Sequence, residues 1–144
     1  MFHTDDEIKH ITNGLLEQTL PKSDWTHAAH FAAALGLIQT WGYKKTKANI
    51  PNIIRQYNSA VGTINSNSEG YHHTITLASL AAAREKFKIH KHAHTLYEIT
   101  NILMSSAYGR SDWLLKYWSK TNLFSPAARK TWTDPDKRPL PFII

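Results

Sequence analysis

Thr26-His27-Ala28-Ala29-His30-Phe31-Ala32-Ala33-Ala34-Leu35-Gly36-Leu37-Ile38-Gln39-Thr40-Trp41-Gly42 is the stretch on which the fold turns. Thr26 is a good N-cap, because its hydroxyl accepts a backbone N–H that the first helical turn leaves unpaired. Gly42 is a natural stop. Between them the residues are apolar nearly all round, and a helix without a polar face belongs in the middle of a protein. The sequence therefore predicts a buried central helix with His27 and His30 in its first turn, facing the core.

Amphipathic helices gather around it. Thr4-Asp5-Asp6-Glu7 has the spacing of a capping box, and Ile8, Ile11, Leu15, Leu16 and Leu20 recur at helical intervals until Pro21. After Gly42, Thr46 is expected to cap a third helix built on Ile50, Ile53, Ile54, Tyr57 and Val61, with Pro51 in its first turns. A polar loop from Thr63 to Gly70 leads to a fourth helix over about 71–88, on Ile75, Leu77, Leu80 and Phe87. His90 to His94 reads as a connector, and a fifth helix runs from Leu96 to about Ala107. Two short helices cover 112–118 and 126–132, the second capped by Ser125. Prolines 135, 139 and 141 keep the tail, about 133–144, extended over the surface. The expectation is an all-α, single-domain helical bundle over 1–144, with five main helices.

At 144 residues, with 42% hydrophobic and 19% charged side chains, the chain has the make-up of one globular domain. It contains no cysteine, which removes disulfides, thiolate nucleophiles, zinc–thiolate sites and iron–sulfur clusters together. Any bound metal must take nitrogen and oxygen ligands. The first residues are acidic and hold no apolar segment of the signal-peptide kind. The longest apolar run, Phe31 to Ile38, is too short to span a bilayer. A cytoplasmic protein without a membrane partner is the expectation, with the oligomeric state left open. The formal charge of +6 is uneven, since 15 of the 17 basic residues lie beyond His30. Such a body suits nucleic acid, phosphorylated ligands or an acidic partner, or is a solvated surface of scattered lysines.

A helix advances roughly 100° per residue, so His27 and His30 stand about 60° apart on one face. Two imidazoles so placed can grip one divalent ion, and zinc, iron and manganese all accept this ligand. His72, at another helix start, is the expected third ligand, with Asp136, Asp134 or Glu69 as carboxylates. The plainer alternative is that these histidines satisfy backbone or hydroxyl groups in the core. Tyr71, His72, His73, Thr74 and Thr76 form a second cluster. His72 and Thr76 share a face, whereas His73 pairs with the core position Leu77, so 72 against 73 stays open. The threonines serve either a ligand or the helix start. His90, His92 and His94 form a solvated tract able to pick up adventitious metal. The Arg84–His90 spacing resembles the Arg–His motif of the small all-α HEPN ribonucleases, which would steady a phosphate and move a proton. Trp113, Tyr117, Trp118, Phe124 and Trp132 crowd the last third, for packing or as the wall of a ligand pocket.

Several of these features form a set: Trp25-Thr26-His27 with His30, Tyr71-His72-x-Thr74-Ile75-Thr76, Leu114 to Tyr117, and Leu123-Phe124-Ser125-Pro126-Ala127-Ala128-Arg129 ahead of Asp134-Pro135-Asp136. The set resembles a family of small uncharacterised bacterial proteins that read Thr-His-x-x-His, Tyr-His-x-Thr-Ile-Thr and a closing Pro-Asp. The resemblance implies that His27, His30, Tyr71, His72 and Thr74 matter together, and it brings no assigned activity. His73, Arg84 and the 90–94 tract fall outside it.

The expectation is a histidine-lined pocket at the starts of the second and fourth helices, closed by the strap near Asp136. In its leading form His27, His30, His72 and Asp136 hold a divalent metal (zinc, iron or manganese). His72, Tyr71 and Thr74 then assist hydrolysis of a small molecule by activated water. In its second form the pocket holds a small anion without catalysis. In a third, the basic face with Arg84 and His90 binds or cleaves RNA.

Overall fold

Helices and turns account for all the regular structure, and the protein is all-α. The computed structural model describes residues 1–144. Five long helices come first: α1 (Asp5–Leu16), α2 (His27–Trp41), α3 (Tyr43–Ala60), α4 (His73–His90) and α5 (Leu96–Ser105). Two short ones follow, α6 (Lys120–Leu123) and α7 (Pro126–Lys130). Single 3-10 turns at Lys22–Asp24, Ala107–Gly109 and Trp113–Lys116 join them.

The capping box of α1 is formed. Thr4 Oγ1 accepts from Glu7 N–H at 3.3 Å while the Glu7 carboxylate accepts from Thr4 N–H at 3.0 Å. Just before it, Phe2 is clasped by Asn101 of α5: Phe2 N–H donates to Oδ1 at 3.0 Å and the Phe2 carbonyl accepts from Nδ2 at 2.8 Å.

α2 is the axle of the bundle. It touches α1, α3, α4 and α5, and Phe31, Ala32, Leu35 and Leu37 along it are fully buried. Gly36 lets α1 come close: a Cβ there would stand 2.2 Å from Thr12 Oγ1. Gly36→Ala is therefore expected to destabilise by about 1–3 kcal/mol through overpacking, although alanine is the better helix former by about 1 kcal/mol. Adding Thr12→Ala should recover most of the loss in urea denaturation. A Gly36→Ala protein as stable as the parent would show that the two helices have room to part.

Gly42 adopts φ +82°, a conformation open to glycine, and this lets α3 begin one residue after α2 ends. Thr46 is consequently no N-cap. It lies a turn inside α3 and its hydroxyl donates back to Gly42 O at 2.8 Å. Pro51 falls in the middle of α3, where it offers no N–H to the carbonyl of Lys47. α4 starts two residues later than expected and α5 stops at Ser105, because Ser106 turns extended and caps the next turn from its hydroxyl. The 112–118 stretch tightens into a 3-10 turn, and α6 is an addition.

α7 packs on α4, and beyond Lys130 the chain holds no helix or strand. Among the contacts that tie it to the body, Trp118 Nε1 donates to Thr133 O and Lys137 N–H to Tyr117 O, both at 2.9 Å. No helix is long and apolar enough to cross a membrane.

Candidate functional site

The first turn of α2 does place two histidines on one side. Thr26 Oγ1 caps the helix by accepting from Ala29 N–H at 3.2 Å. Each histidine then spends one ring nitrogen on the backbone. His27 Nε2–H donates to Tyr108 O at 2.7 Å, and His30 Nδ1–H donates to Thr26 O at 2.6 Å. A carbonyl can only accept, so these contacts fix both tautomers. Nδ1 of His27 and Nε2 of His30 are left as free lone-pair nitrogens. The His27 ring stands edge-on to Phe31 at 5.2 Å, and the His30 ring lies over Trp25 at 3.9 Å, tilted by 30°.

Both histidines line a cavity of about 520 Å³ enclosed by α2, α3, α4 and the 111–115 and 123–124 segments. Fourteen of its 20 lining residues are hydrophobic, among them Ile50, Ile54, Leu80 and Trp113. A few polar groups, Thr76, Ser79, Ser111 and Asp112, interrupt the wall. That mixture is typical of small-molecule pockets, whose volumes run to several hundred Å³.

A second cavity of about 450 Å³ adjoins the first, sharing Trp25, His30, Ile54, Ile75 and Thr76 with it. Its remaining wall is more polar and includes Lys22, Asn58, Tyr71, His72 and Arg129. Nothing local in the sequence links residue 129 to residues 22 and 30, so this juxtaposition was not legible there.

The 71–76 cluster is a joint between α4 and the C-terminal segments. His72, rather than Tyr71 or Thr74, caps α4: its Nδ1 accepts from Ile75 N–H at 3.2 Å, and its Nε2–H donates to Leu123 O at 2.6 Å. Both ring nitrogens are thereby committed. The buried Thr74 hydroxyl reaches Ala128 O at 2.7 Å and Thr131 O at 3.0 Å, and accepts from Thr133 N–H at 3.1 Å. The Tyr71 hydroxyl and His73 Nδ1 share a hydrogen bond at 2.8 Å, and the Arg55 guanidinium lies 4.5 Å from the Tyr71 ring centre. Burial pushes the Tyr71 phenol up to about 12, so it stays protonated. Between the two histidines, His72 lines the second cavity and His73 lines neither.

The expected metal set is not drawn together. Asp136 Oδ1 accepts from Ser119 N–H at 2.7 Å, and Asp134 accepts from the Trp132 indole at 2.9 Å. No three histidine or carboxylate side chains converge on one point. Of the set, His27 and His30 alone share a cavity with a free nitrogen each. Arg84 and His90 find separate partners: Arg84 pairs with Glu85 at 2.8 Å, covers Tyr43 and donates to Ile143 O, while His90 meets His94 edge-on at 5.4 Å.

Burial lowers the pKa of His30, His72 and His73 below the usual 6.5. Arg129 adds to the effect at His72, and Arg55 and Lys47 add to it at His73. His30 keeps accessible surface and lines both cavities. With folded values depressed, the unfolded chain takes up protons first as pH falls. The stability these rings contribute is present above about pH 6.5 and is lost on acidification through the lower folded values. For His72 the incoming proton lands on Nδ1 and abolishes the cap. The urea midpoint should fall between about pH 7 and 5, and a level midpoint would contradict the assignment.

No known protein family, curated protein or solved structure matches the chain. What the site does has to be read from its own chemistry.

Proposed function

We propose that the protein binds a small molecule with a largely apolar body, seated in the 520 Å³ cavity against His27 and His30. The carrying observation is the pairing of that apolar wall with two imidazoles that each keep one nitrogen free. Burial of a ligand's apolar surface supplies affinity at roughly 25 cal/mol per Å². The nitrogen that each ring leaves free can accept a hydrogen bond, which suits a ligand with a hydroxyl or amide donor. A divalent ion at His27 and His30 alone would need its remaining ligands from solvent or from the bound molecule.

The test is titration with 1-naphthol, an apolar body bearing one donor, followed by calorimetry. Saturable one-to-one uptake is expected. Ser79→Leu, which projects two carbons and a branch into the cavity, should weaken it at least tenfold, about 1.4 kcal/mol, without unfolding the chain. Uptake that is unsaturable, or indifferent to Ser79→Leu, would overturn the reading.

A further inference from the structure

We propose that the natural occupant is an apolar molecule ending in a carboxylate, with Lys22 and Arg129 in the second cavity holding that headgroup. The proposal rests on the pocket reading above and names the chemistry of its ligand. Its basis is the change of character between the two adjoining cavities. The first is mostly hydrophobic and carries Asp112 on its wall. The second carries Lys22 and Arg129, and no aspartate or glutamate lines it.

Neither cation is neutralised within the protein. The ion pairs present join Arg84 and Lys88 to Glu85, His94 to Glu98, and Arg110 to Asp112. Lys22 and Arg129 belong to none of them. Arg129 Nη1 donates to Gly70 O at 3.1 Å and lies 3.5 Å from Tyr71 O, which anchors the guanidinium without discharging it. Its Nε is buried without a hydrogen-bond partner, and Nη2 makes none. Nη2 is the guanidinium nitrogen left to donate, and a carboxylate can accept a charge-assisted hydrogen bond from it. In a cleft with low-dielectric walls and charge of one sign, the field is focused on the ligand rather than dissipated in solvent.

The junction fits the same occupant. Trp25, His30, Ile54, Ile75 and Thr76 line both cavities, so the end of a chain seated in the first lies beside the second. His30 is neutral at physiological pH, because burial lowers its pKa, and it adds no charge. The charge that selects the headgroup comes from Lys22 and Arg129.

The experiment compares decanoate with decanol, ligands of matched chain and different head, by calorimetry on the full chain. Decanoate is expected to bind at least tenfold more tightly. Lys22→Gln, on an exposed turn, and Arg129→Gln should each cut that ratio severalfold. Added salt should weaken decanoate only. If Arg129→Gln fails to fold, Lys22→Gln carries the test alone. Equal affinities for the two ligands in the parent protein, or discrimination that survives Lys22→Gln unchanged, would overturn the headgroup assignment and leave the pocket standing. Failure of decanol and decanoate alike, together with failure of 1-naphthol, would overturn the pocket itself.

Discussion

His72→Ala is expected to cost about 3 kcal/mol of stability, the sum of a lost N-cap worth about 1 and a buried carbonyl left unsatisfied at about 1–3. The ring joins Ile75 N–H at the start of α4 to the carbonyl of Leu123, 51 residues on, and it is 7% exposed. Its removal orphans a donor and an acceptor together. His72→Asn separates the two contributions, since an asparagine oxygen can restore the cap but its side chain is too short to reach Leu123. It should recover about 1 kcal/mol of the loss. Urea denaturation at neutral pH reads both variants. A His72→Ala protein that unfolds at the parent's urea concentration would mean that the ring is held for chemistry instead of architecture.

Thr74→Val should be nearly as costly, at about 2–4 kcal/mol, although it changes almost no volume. The damage is polar. One hydroxyl, fully buried, serves Ala128 O, Thr131 O and Thr133 N–H, and valine leaves those backbone groups without it. Because all three lie in one stretch of chain, the loss should be local as well as global. Amide hydrogen exchange at Thr133 is expected to accelerate more than exchange within α2. Thr74→Ser, which keeps the hydroxyl and sheds a methyl group, should retain most of the stability. Uniform acceleration across the molecule would argue that Thr74 matters only through its packing.

The bundle was legible in the sequence because its decisive helix has no polar face. Thr26, the apolar run to Ile38 and Gly42 name the start, burial and end of α2 from local chemistry alone. The same periodicity brings His27 and His30 to one cavity. What the sequence could not convey was the destination of each ring's second nitrogen. Tyr108 O lies 81 residues from His27, and Leu123 O lies 51 from His72. An imidazole written as a ligand and an imidazole acting as a cap look alike until those carbonyls are placed. Asp136 is a similar case, for its carboxylate meets the backbone of Ser119, which precedes α6. α3 misled for a different reason: Gly42 serves two helices at once, so Thr46 came to lie inside the helix and Pro51 in its middle. The second cavity joins Lys22, His30 and Arg129 from three distant segments, and only the folded chain shows them as neighbours.

The clasp between Phe2 and Asn101 spans 99 residues of chain. Closing a loop of that length costs about 4 kcal/mol of chain entropy, more than its two hydrogen bonds return at about 1 kcal/mol each. It therefore cannot nucleate anything. Its partners meet only after the intervening helices have already collapsed, which places the clasp on the far side of the folding barrier. Asn101→Ala should speed unfolding and leave the folding rate unchanged.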